Sequence, residues 1–259
     1  MRMDFTLKIY RELLVALKTR YVFQTFEDYI RKPENKKLVV LRHDVDKHPK
    51  RSLTFAKIQA ELGIRGSYYF RAVPESWNEG IIREIRDLGH EVGFHYESLT
   101  TCHGDVDKAY EDFCCNLEQL RKLVPVSTIC MHGSPRSPWD SKNIWKKYDY
   151  RELGIVGEPY LDTDFSRMFY LTDTGRRWDG YKVSVRDKIP EFQEQWERKG
   201  WVYHSTSDII QAVKAGLFPE QGIITNHPQR WTDSKFVWMQ ELLMQKLKNR
   251  IKKFIIRQT

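Results

Sequence analysis

The amino-acid sequence predicts an α/β fold, built as a complete or slightly broken (β/α) barrel. Short β-rich runs alternate with amphipathic helical runs along 259 residues, a length that suits one large α/β domain. We count about seven strand candidates, which fit a barrel better than an open doubly wound sheet. No Gly-x-Gly-x-x-Gly loop follows the first strand, so the sequence does not indicate a dinucleotide-binding sheet.

Each element is assigned from its apolar period and from the residues that end it. The first helix is predicted over 5–19 from apolar residues that recur on one helical face, namely Leu7, Tyr10, Leu13, Leu14 and Leu17. The strand candidates are 37–42, 66–71, 91–95, 126–131, 154–156, 167–172 and 222–226. The remaining helix candidates are 50–62, 77–88, 105–123, 139–148, 205–215 and 233–256. Gly89 is expected at the C-cap of the helix over 77–88.

The chain is predicted to be a single domain over 1–259. A helical N-terminal extension covers 1–35, the barrel covers 36–231, and a basic C-terminal helix covers 232–259. No apolar run approaches the roughly 20 residues that a transmembrane helix needs. Asp4 and Glu12 interrupt the N-terminal apolar stretch, which therefore does not resemble a signal peptide. We expect a cytoplasmic protein.

The cysteine pattern agrees with a reducing compartment. The four cysteines form no Cys-x-x-Cys spacing, and two of them are adjacent, which makes a poor disulfide pair. Free thiols are therefore expected at Cys102, Cys114, Cys115 and Cys130.

Charge is concentrated at the C-terminus. The net charge is +8, and residues 232–259 hold seven basic and two acidic residues, or +5 of that total. The body is nearly balanced, which does not indicate a nucleic-acid partner. The C-terminal helix is predicted to be amphipathic, with one apolar face formed by Trp238, Leu242, Leu243, Leu247, Ile251, Phe254 and Ile255. Either this face packs on the barrel and the basic side is solvated, or the helix attaches peripherally to anionic lipid at the inner membrane.

Polar residues follow four of the predicted strands. These runs are His43-Asp44-Val45-Asp46, His95-Tyr96-Glu97, His132 to Arg136 and Asn226 to Trp231. Taken singly, the aspartates could cap a helix and each histidine could be a hydrogen-bonded structural residue. Parallel topology brings the four ends to one mouth, where Asp and His together form a ligand set for a divalent metal such as Zn²⁺. A further Asp and a further His would supply a base and an acid.

Four motifs carry a resemblance to a known family: LRHDVD at 41–46, GHEVGFHYE at 89–97, MHGSP at 131–135 and NHPQRW at 226–231. Over roughly residues 36–231 the chain resembles the polysaccharide deacetylases of carbohydrate esterase family 4, particularly a branch associated with bacterial surface-polysaccharide synthesis. The resemblance implies a distorted (β/α) barrel, one divalent metal, expected to be Zn²⁺, and hydrolysis of an N-acetyl group on a sugar.

The resemblance also implies roles for individual residues. Asp44 matches the general base and Asp46 the metal-binding aspartate. Val45 separates two residues that are adjacent in the family, so exchanged roles are the alternative. His95 matches the first metal-binding histidine. His227 matches the general acid, and Arg136 stands for the catalytic arginine.

One position departs from the family pattern. The second metal-binding histidine should lie four residues after His95, where this chain has Leu99. His132, at a neighbouring strand end, is our first choice for the missing ligand, with Glu97 and His103 behind it. The alternatives are that the metal site is lost, or that Glu97 hydrogen-bonds His95.

Other histidines and several loop aromatics receive weaker assignments. His90 is expected to support a turn, and His48 and His204 are expected at the surface. Four aromatic residues in predicted loops either line a carbohydrate cleft or fill the core: Trp139, Tyr160, Trp178 and Trp231. The runs Tyr160-Leu161-Asp162 and Asp173 to Trp178 add polar groups that suit sugar hydroxyls or a phosphate, unless Arg176 and Arg177 are solvated.

Three function classes follow. The first is a metal-dependent N-deacetylase acting on a carbohydrate. The second is a metal-free hydrolase of another C–N bond, which the missing histidine favours. The third is a degenerate, non-catalytic barrel in polysaccharide assembly. The presence or absence of a bound metal distinguishes the first class from the second. The presence of Asp44, Asp46, His95 and His227 in the sequence counts against the third.

Overall fold

The computed structural model describes residues 3–134, 137–182, 184 and 186–256. A curled sheet of parallel strands forms its centre, in the order β5-β4-β3-β2-β7-β6, with β1 also paired to β2. The strands are β1 Val22–Gln24, β2 Leu38–Val45, β3 Ser67–Phe70, β4 Glu91–Tyr96, β5 Ile129–Met131, β6 Phe169–Thr172 and β7 Gln221–Asn226. The prediction of a distorted barrel of about seven parallel strands is confirmed.

Strand β2 is the centre of the sheet and is buried along its whole length. One of its edges pairs with β7, from Leu38 opposite Gln221 to His43 opposite Asn226. The other edge is shared, since β1 pairs with 38–40 and β3 pairs with 42–45. Because β2 lies between these neighbours, its C-terminal end reaches the middle of the mouth.

The sheet does not continue as a ladder from β5 to β6, which are the two ends of the strand order. The strand predicted at 154–156 is wrong, because only one isolated bridge forms there, between Thr128 and Gly157. Pro159 begins a helix directly afterwards, and the Glu158 side chain accepts a hydrogen bond from the Met131 amide at 2.9 Å. The Glu158 carboxylate thus takes the place of the backbone carbonyl oxygen that a continuing strand would offer to the Met131 amide.

Helices surround the sheet. They are α1 Leu7–Lys18, α2 Phe26–Arg31, α3 Pro49–Glu61, α4 Glu79–Asp87, α5 Ser98–Thr101, α6 Val106–Arg121, α7 Pro159–Asp162, α8 Pro190–Arg198, α9 Thr206–Ala215 and α10 Lys235–Ile256. The apolar face predicted for α1 is buried, and Thr6 caps its first turn by accepting from the Ile9 amide at 3.2 Å. As expected, Gly89 follows α4 with φ of 88°.

Several short elements differ from the sequence-based expectation. The N-terminal extension contains β1 and α2 besides its helix, and the helix expected at 139–148 is a 3-10 helix over Ser141–Lys146. The three-residue β1 and the short helices α5 and α7 contain too few residues to show a period.

Helix α10 has two apolar sides. Trp238 and Leu242 are half-buried, whereas Phe236, Met239, Leu243 and Met244 are exposed. The prediction of a single apolar face is therefore wrong for Leu243, which is exposed, whereas Trp238 and Leu242 are half-buried. That prediction also included Leu247, Ile251, Phe254 and Ile255, whose side chains lie outside the described part of the structure. In the described part of the chain, no helix combines the length and apolarity needed to cross a bilayer.

Candidate active site and metal centre

The alternation of side chains along β2 decides which residues of the Arg-His-Asp-Val-Asp run reach the mouth. Successive strand residues point to opposite faces, so Arg42, Asp44 and Asp46 share one face and His43 takes the other. The structure agrees, because His43 Nδ1 lies 3.1 Å from the Ser67 carbonyl oxygen and its ring stacks on Tyr68 at 4.1 Å. His43 is thus part of the layer between sheet and helices.

A buried arginine holds Asp44. Arg42 Nε donates to Asp44 Oδ1 at 2.8 Å and Arg42 Nη2 donates to Oδ2 at 2.7 Å, a bidentate pair. Burial raises the pKa of Asp44, but the Arg42 guanidinium and the His95 imidazole outweigh it, so the pKa lies below its ordinary value. The sequence assigned an arginine to the site at Arg136, which lies outside the described residues. Arg42 was missed, although its position two residues before Asp44 on a strand places it on the same face.

Asp46 lies between two imidazoles. Its Oδ1 is 3.6 Å from His95 Nε2 and 3.5 Å from His132 Nε2. Among the described residues that buried oxygen has no hydrogen-bond partner, while Oδ2 accepts from Gln229 Nε2 at 2.8 Å. Burial opposes ionisation, yet the His95 and His132 imidazoles hold the pKa of Asp46 well below its ordinary range.

Three histidines share one arrangement. In each, Nδ1 is engaged by an acceptor outside the centre: His95 by the Cys130 carbonyl oxygen at 2.9 Å, His132 by Glu97 at 2.9 Å and His227 by Asp173 at 2.6 Å. A carbonyl oxygen only accepts, so the proton of neutral His95 is on Nδ1 and the Nε2 lone pair is free. All three Nε2 atoms lie within 4.0 Å of an Asp44 or Asp46 oxygen.

Glu97 fixes His132 rather than His95. Arg71 donates to Glu97 Oε1 from Nε at 2.9 Å and from Nη2 at 2.6 Å, and the other oxygen of Glu97 faces His132 Nδ1. Burial raises the pKa of Glu97, but His132 and Arg71 lower it to about 2. The expected alternative of a Glu97–His95 hydrogen bond is therefore wrong. Carboxylate–imidazole pairs of this kind orient metal-binding histidines.

Neither the position of the missing histidine, Leu99, nor the candidate His103 joins this cluster. Leu99 is buried in a small apolar cluster with Ala109 and Ile144. The exposed His103 packs its ring on Trp139, with the ring centres 6.0 Å apart.

Asp46, His95 and His132 fit a divalent metal. Their ligand atoms all lie within 4.8 Å of one another. Tetrahedral ligands at about 2.1 Å from zinc are about 3.4 Å apart, close to the two aspartate–imidazole distances above. The buried Asp46 Oδ1, which has no partner in the described part of the chain, is also explained if a cation belongs beside it.

A second group of possible ligands comprises Asp44, His95 and Cys130. It fits less well, because Arg42 already occupies both Asp44 oxygens. Burial also raises the pKa of the Cys130 thiol well above its ordinary value, whereas a thiolate is the form that binds metal.

Asp173 is a buried anchor for His227 that the sequence did not assign to this role. It accepts from the His227 amide at 2.9 Å, from Arg230 Nη1 at 2.9 Å and from Trp231 Nε1 at 2.6 Å. Burial and Arg230 lower the pKa of His227, but Asp173 outweighs them and the pKa is raised. The His227 Nε2 atom lies 3.9 Å from Asp44 Oδ2. Asp173 was expected to face a substrate, and its position directly after β6 was the signal for a role at the mouth.

The aromatic residues divide into two groups. Trp178 is 3% exposed and Trp231 is 1% exposed, so both fill the core and neither offers a ring face to a sugar. Trp139 and Tyr160 are half-buried. The Tyr160 hydroxyl accepts from Arg42 Nη2 at 3.0 Å, which places this residue beside the Arg42–Asp44 pair.

The remaining assigned side chains lie away from this centre. His90 is buried under the turn before β4 and accepts from the Gly66 amide at 3.1 Å, as expected. His48 and His204 are exposed, also as expected. Arg177 pairs with Asp179, and Arg176 contacts α10.

Comparison with known proteins finds similar folds among solved structures. No protein-family model and no curated protein matches the sequence. A carbohydrate esterase family 4 pseudoenzyme from Bacillus anthracis is 14% identical with a TM-score of 0.42, over 83% of this chain and 62% of that one. A peptidoglycan N-acetylglucosamine deacetylase is 14% identical with a TM-score of 0.44, over 87% and 90% of the two chains. The family 4 carbohydrate esterase PdaA from Bacillus subtilis is 13% identical with a TM-score of 0.40, over 92% and 84%.

Proposed function

We propose that the protein is a metal-dependent hydrolase that removes N-acetyl groups from a sugar in a bacterial surface polysaccharide or its precursor. The observation that carries the proposal is the cluster of Asp46, His95 and His132, with Asp44 and His227 beside it. The carbohydrate substrate rests on the resemblance of the four motifs.

The metal ligands are Asp46, His95 and His132, with His132 replacing the histidine that the family pattern places at Leu99. A divalent ion bound there, such as Zn²⁺, supplies a Lewis acid for the acetyl carbonyl and acidifies a water molecule. Between the two aspartates, the free Oδ1 favours Asp46 as ligand, since Asp44 is occupied by Arg42.

Asp44 and His227 move the protons. Asp44, kept ionised by Arg42, accepts a proton from the attacking water as the carbon–oxygen bond forms. His227, held by Asp173, gives the proton on Nε2 to the amine nitrogen as the carbon–nitrogen bond breaks. The products are acetate and the free amino sugar. The separation of 3.9 Å between His227 Nε2 and Asp44 Oδ2 allows one group to serve the attacking water and the other the leaving nitrogen of the same acetyl carbon.

Metal analysis combined with an acetate-release assay tests the proposal. We expect about one Zn²⁺ per chain in the wild type, because three protein ligands plus water form an open catalytic site. The probe substrate is a set of N-acetylglucosamine oligomers. His132→Ala should lose the metal and the activity together, and Glu97→Gln should weaken zinc binding by about 10–100-fold.

His204→Ala is the matched control, because His204 is exposed and lies outside the cluster. If the His132→Ala variant binds as much zinc as the wild type, His132 is not a metal ligand. Hydrolysis by a protein that takes up no Zn²⁺ even in excess would refute the metalloenzyme and support the metal-free C–N hydrolase. Stoichiometric zinc without hydrolysis of any N-acetylated glycan would support the non-catalytic barrel.

A further inference from the structure

The inner side of α10 is fixed to the body of the protein. Trp238 Nε1 donates to the Asp4 carbonyl oxygen at 2.5 Å, and Arg176 Nη1 donates to the Trp238 carbonyl oxygen at 2.7 Å. The Arg176 guanidinium also lies 4.8 Å from the centre of the Trp238 ring. The first turns of the helix therefore have a defined orientation, and their opposite side faces away from the barrel.

That opposite side, which we term the outer face of α10, is apolar and exposed. Phe236 is 78% exposed, Met239 51%, Leu243 60% and Met244 50%. At about 100° per residue, positions 236, 239 and 243 fall on one side of a helix, away from Trp238. The described part of the chain has three other large exposed hydrophobic residues, and each lies in a different part of the sequence, at Val15, Leu161 and Leu217. Four of the seven large exposed hydrophobic side chains among the described residues therefore lie within nine residues of one helix rather than being scattered.

The sequence beyond the outer face has the charge that a membrane-binding helix needs. The backbone remains helical to Ile256. Residues 246–259 contain six basic residues and no acidic one, namely Lys246, Lys248, Arg250, Lys252, Lys253 and Arg257. A basic helix that exposes an apolar side binds in the plane of an anionic bilayer interface.

We propose that the outer face of α10 is a docking surface for an anionic lipid bilayer. Charge complementarity selects this occupant, because phospholipid headgroups neutralise the cations while the apolar side chains enter the interface. A second copy of the chain is a poorer occupant, since pairing two such helices would bring like charges together. The outer face contains none of the proposed metal-binding or proton-transfer residues, so its test does not depend on hydrolysis.

Vesicle co-sedimentation of the full chain tests the docking surface. Vesicles of phosphatidylcholine alone are compared with vesicles that also contain phosphatidylglycerol, at low and at high salt. We expect at least about tenfold tighter binding to the anionic vesicles at low salt, and a large loss at high salt, because several cations contribute and salt screens them. Phe236→Ser/Met239→Ser/Leu243→Ser should lower binding to the anionic vesicles by about tenfold or more, since the apolar area is removed.

The control is Val15→Ser/Leu217→Ser, which removes exposed hydrophobic residues elsewhere and should bind as the wild type does. Equal recovery on neutral and anionic vesicles overturns the proposal, as does unchanged binding of the triple variant. Light scattering adds an independent check. A wild-type dimer that the triple substitution converts to monomer would show that a second copy covers the face, which also overturns the proposal.

Discussion

At the scale of single residues, the site is organised by the Nδ1 atoms of three histidines. A carbonyl oxygen, Glu97 and Asp173 each engage one of these atoms, and every imidazole thereby presents Nε2 to the aspartate pair. The buried carboxylate of Asp173 favours a protonated His227, which suits an acid. The Nε2 atoms of His95 and His132 both face Asp46 Oδ1, which suits two metal ligands.

Asp44→Asn is expected to abolish hydrolysis and to destabilise the protein. Loss of a general base lowers turnover by about 10²–10⁴-fold. The substitution also leaves the buried Arg42 without its charge partner, which typically lowers the free energy of unfolding by about 3–5 kcal/mol. Acetate release and urea unfolding measure the two effects.

The double variant Arg42→Met/Asp44→Asn separates the two effects of losing Asp44. It removes the unpaired charge, so we expect it to recover part of the stability while remaining inactive. Wild-type turnover in the single variant would exclude Asp44 as the base and make Asp46 the next candidate.

His43 should make the protein sensitive to acid. Burial lowers the pKa of His43 from 6.5 to about 3, so below pH 6.5 the unfolded chain binds a proton that the folded chain does not. The stabilisation from neutral His43 is complete above pH 6.5 and decreases as the pH falls towards 3, by about 1.4 kcal/mol per pH unit. In His43→Gln this part of the acid dependence should be absent, as measured by urea unfolding over that range.

His204→Gln is the control for His43, because His204 is exposed. An unfolding free energy whose acid dependence is the same in His43→Gln and in the wild type would contradict the assignment.

Residue types at strand ends predicted much of the candidate site, and side-chain direction explains what they did not predict. Asp44, Asp46, His95, His132 and His227 were all expected at one mouth, and the structure brings them together. Arg42 was missed, and Asp173 was assigned to a substrate rather than to His227, because the pairing of these side chains depends on which face of the sheet each one occupies. Trp178 and Trp231 were assigned to loops, but burial is a property of the packed molecule, and the sequence left both readings open.

At the scale of elements, strand β4 requires a glycine. A Cβ atom on Gly93 would lie 2.4 Å from Tyr69 Cε1 and 2.9 Å from the Thr128 carbonyl oxygen. Tyr69 fills the inside of the barrel at this level, with its hydroxyl 3.2 Å from Thr128 Oγ1. The close approach lies two residues before His95 on the same strand face.

Gly93→Ala should destabilise the protein by about 1–3 kcal/mol, because the buried Tyr69 ring must move. Gly80→Ala is the matched control, since its Cβ would have no neighbour closer than 3.6 Å and alanine favours the helix α4. Thermal unfolding should show a lower midpoint for the first variant and an equal or higher one for the second. A higher midpoint for Gly93→Ala would contradict the packing argument.

Long periodic elements were predictable and short ones were not. Helix α1 and strand β2 are long enough to show a consistent pattern of apolar residues. Both form close to the expected ranges. Strand β1 has three residues, and its pairing with β2 is a long-range contact that no local pattern specifies. The strand expected at 154–156 failed because Glu158 takes the hydrogen bond that a longer strand would have taken.

At the scale of the whole molecule, the N-terminal extension and the barrel share one core. Helix α1 packs against α9 and α3. Tyr10 of α1 places its hydroxyl 3.1 Å from His43 Nε2, and Phe5 packs edge-on against Trp231 with the ring centres 5.0 Å apart. The extension is therefore tied both to the centre of the sheet and to the region after His227.

We expect one cooperative unfolding transition for residues 1–231. Tryptophan fluorescence reports on core residues such as Trp178 and Trp231, and far-ultraviolet circular dichroism reports on helices including α1. The two urea transitions should coincide, because a shared core unfolds as a unit. Different urea midpoints for the two signals would show that the N-terminal extension and the barrel unfold separately.

The hydrogen bond between Glu158 and the Met131 amide makes one position of the barrel wall sensitive to protonation. Backbone carbonyl groups do not ionise, but burial raises the pKa of Glu158 to about 7. The ionised carboxylate is the stronger acceptor, so the Met131 amide should exchange its hydrogen for deuterium more slowly, relative to its intrinsic rate, as the pH rises through neutrality. Neighbouring amides of the wall that are bonded to carbonyl oxygens should show no such step, and Glu158→Gln should remove it.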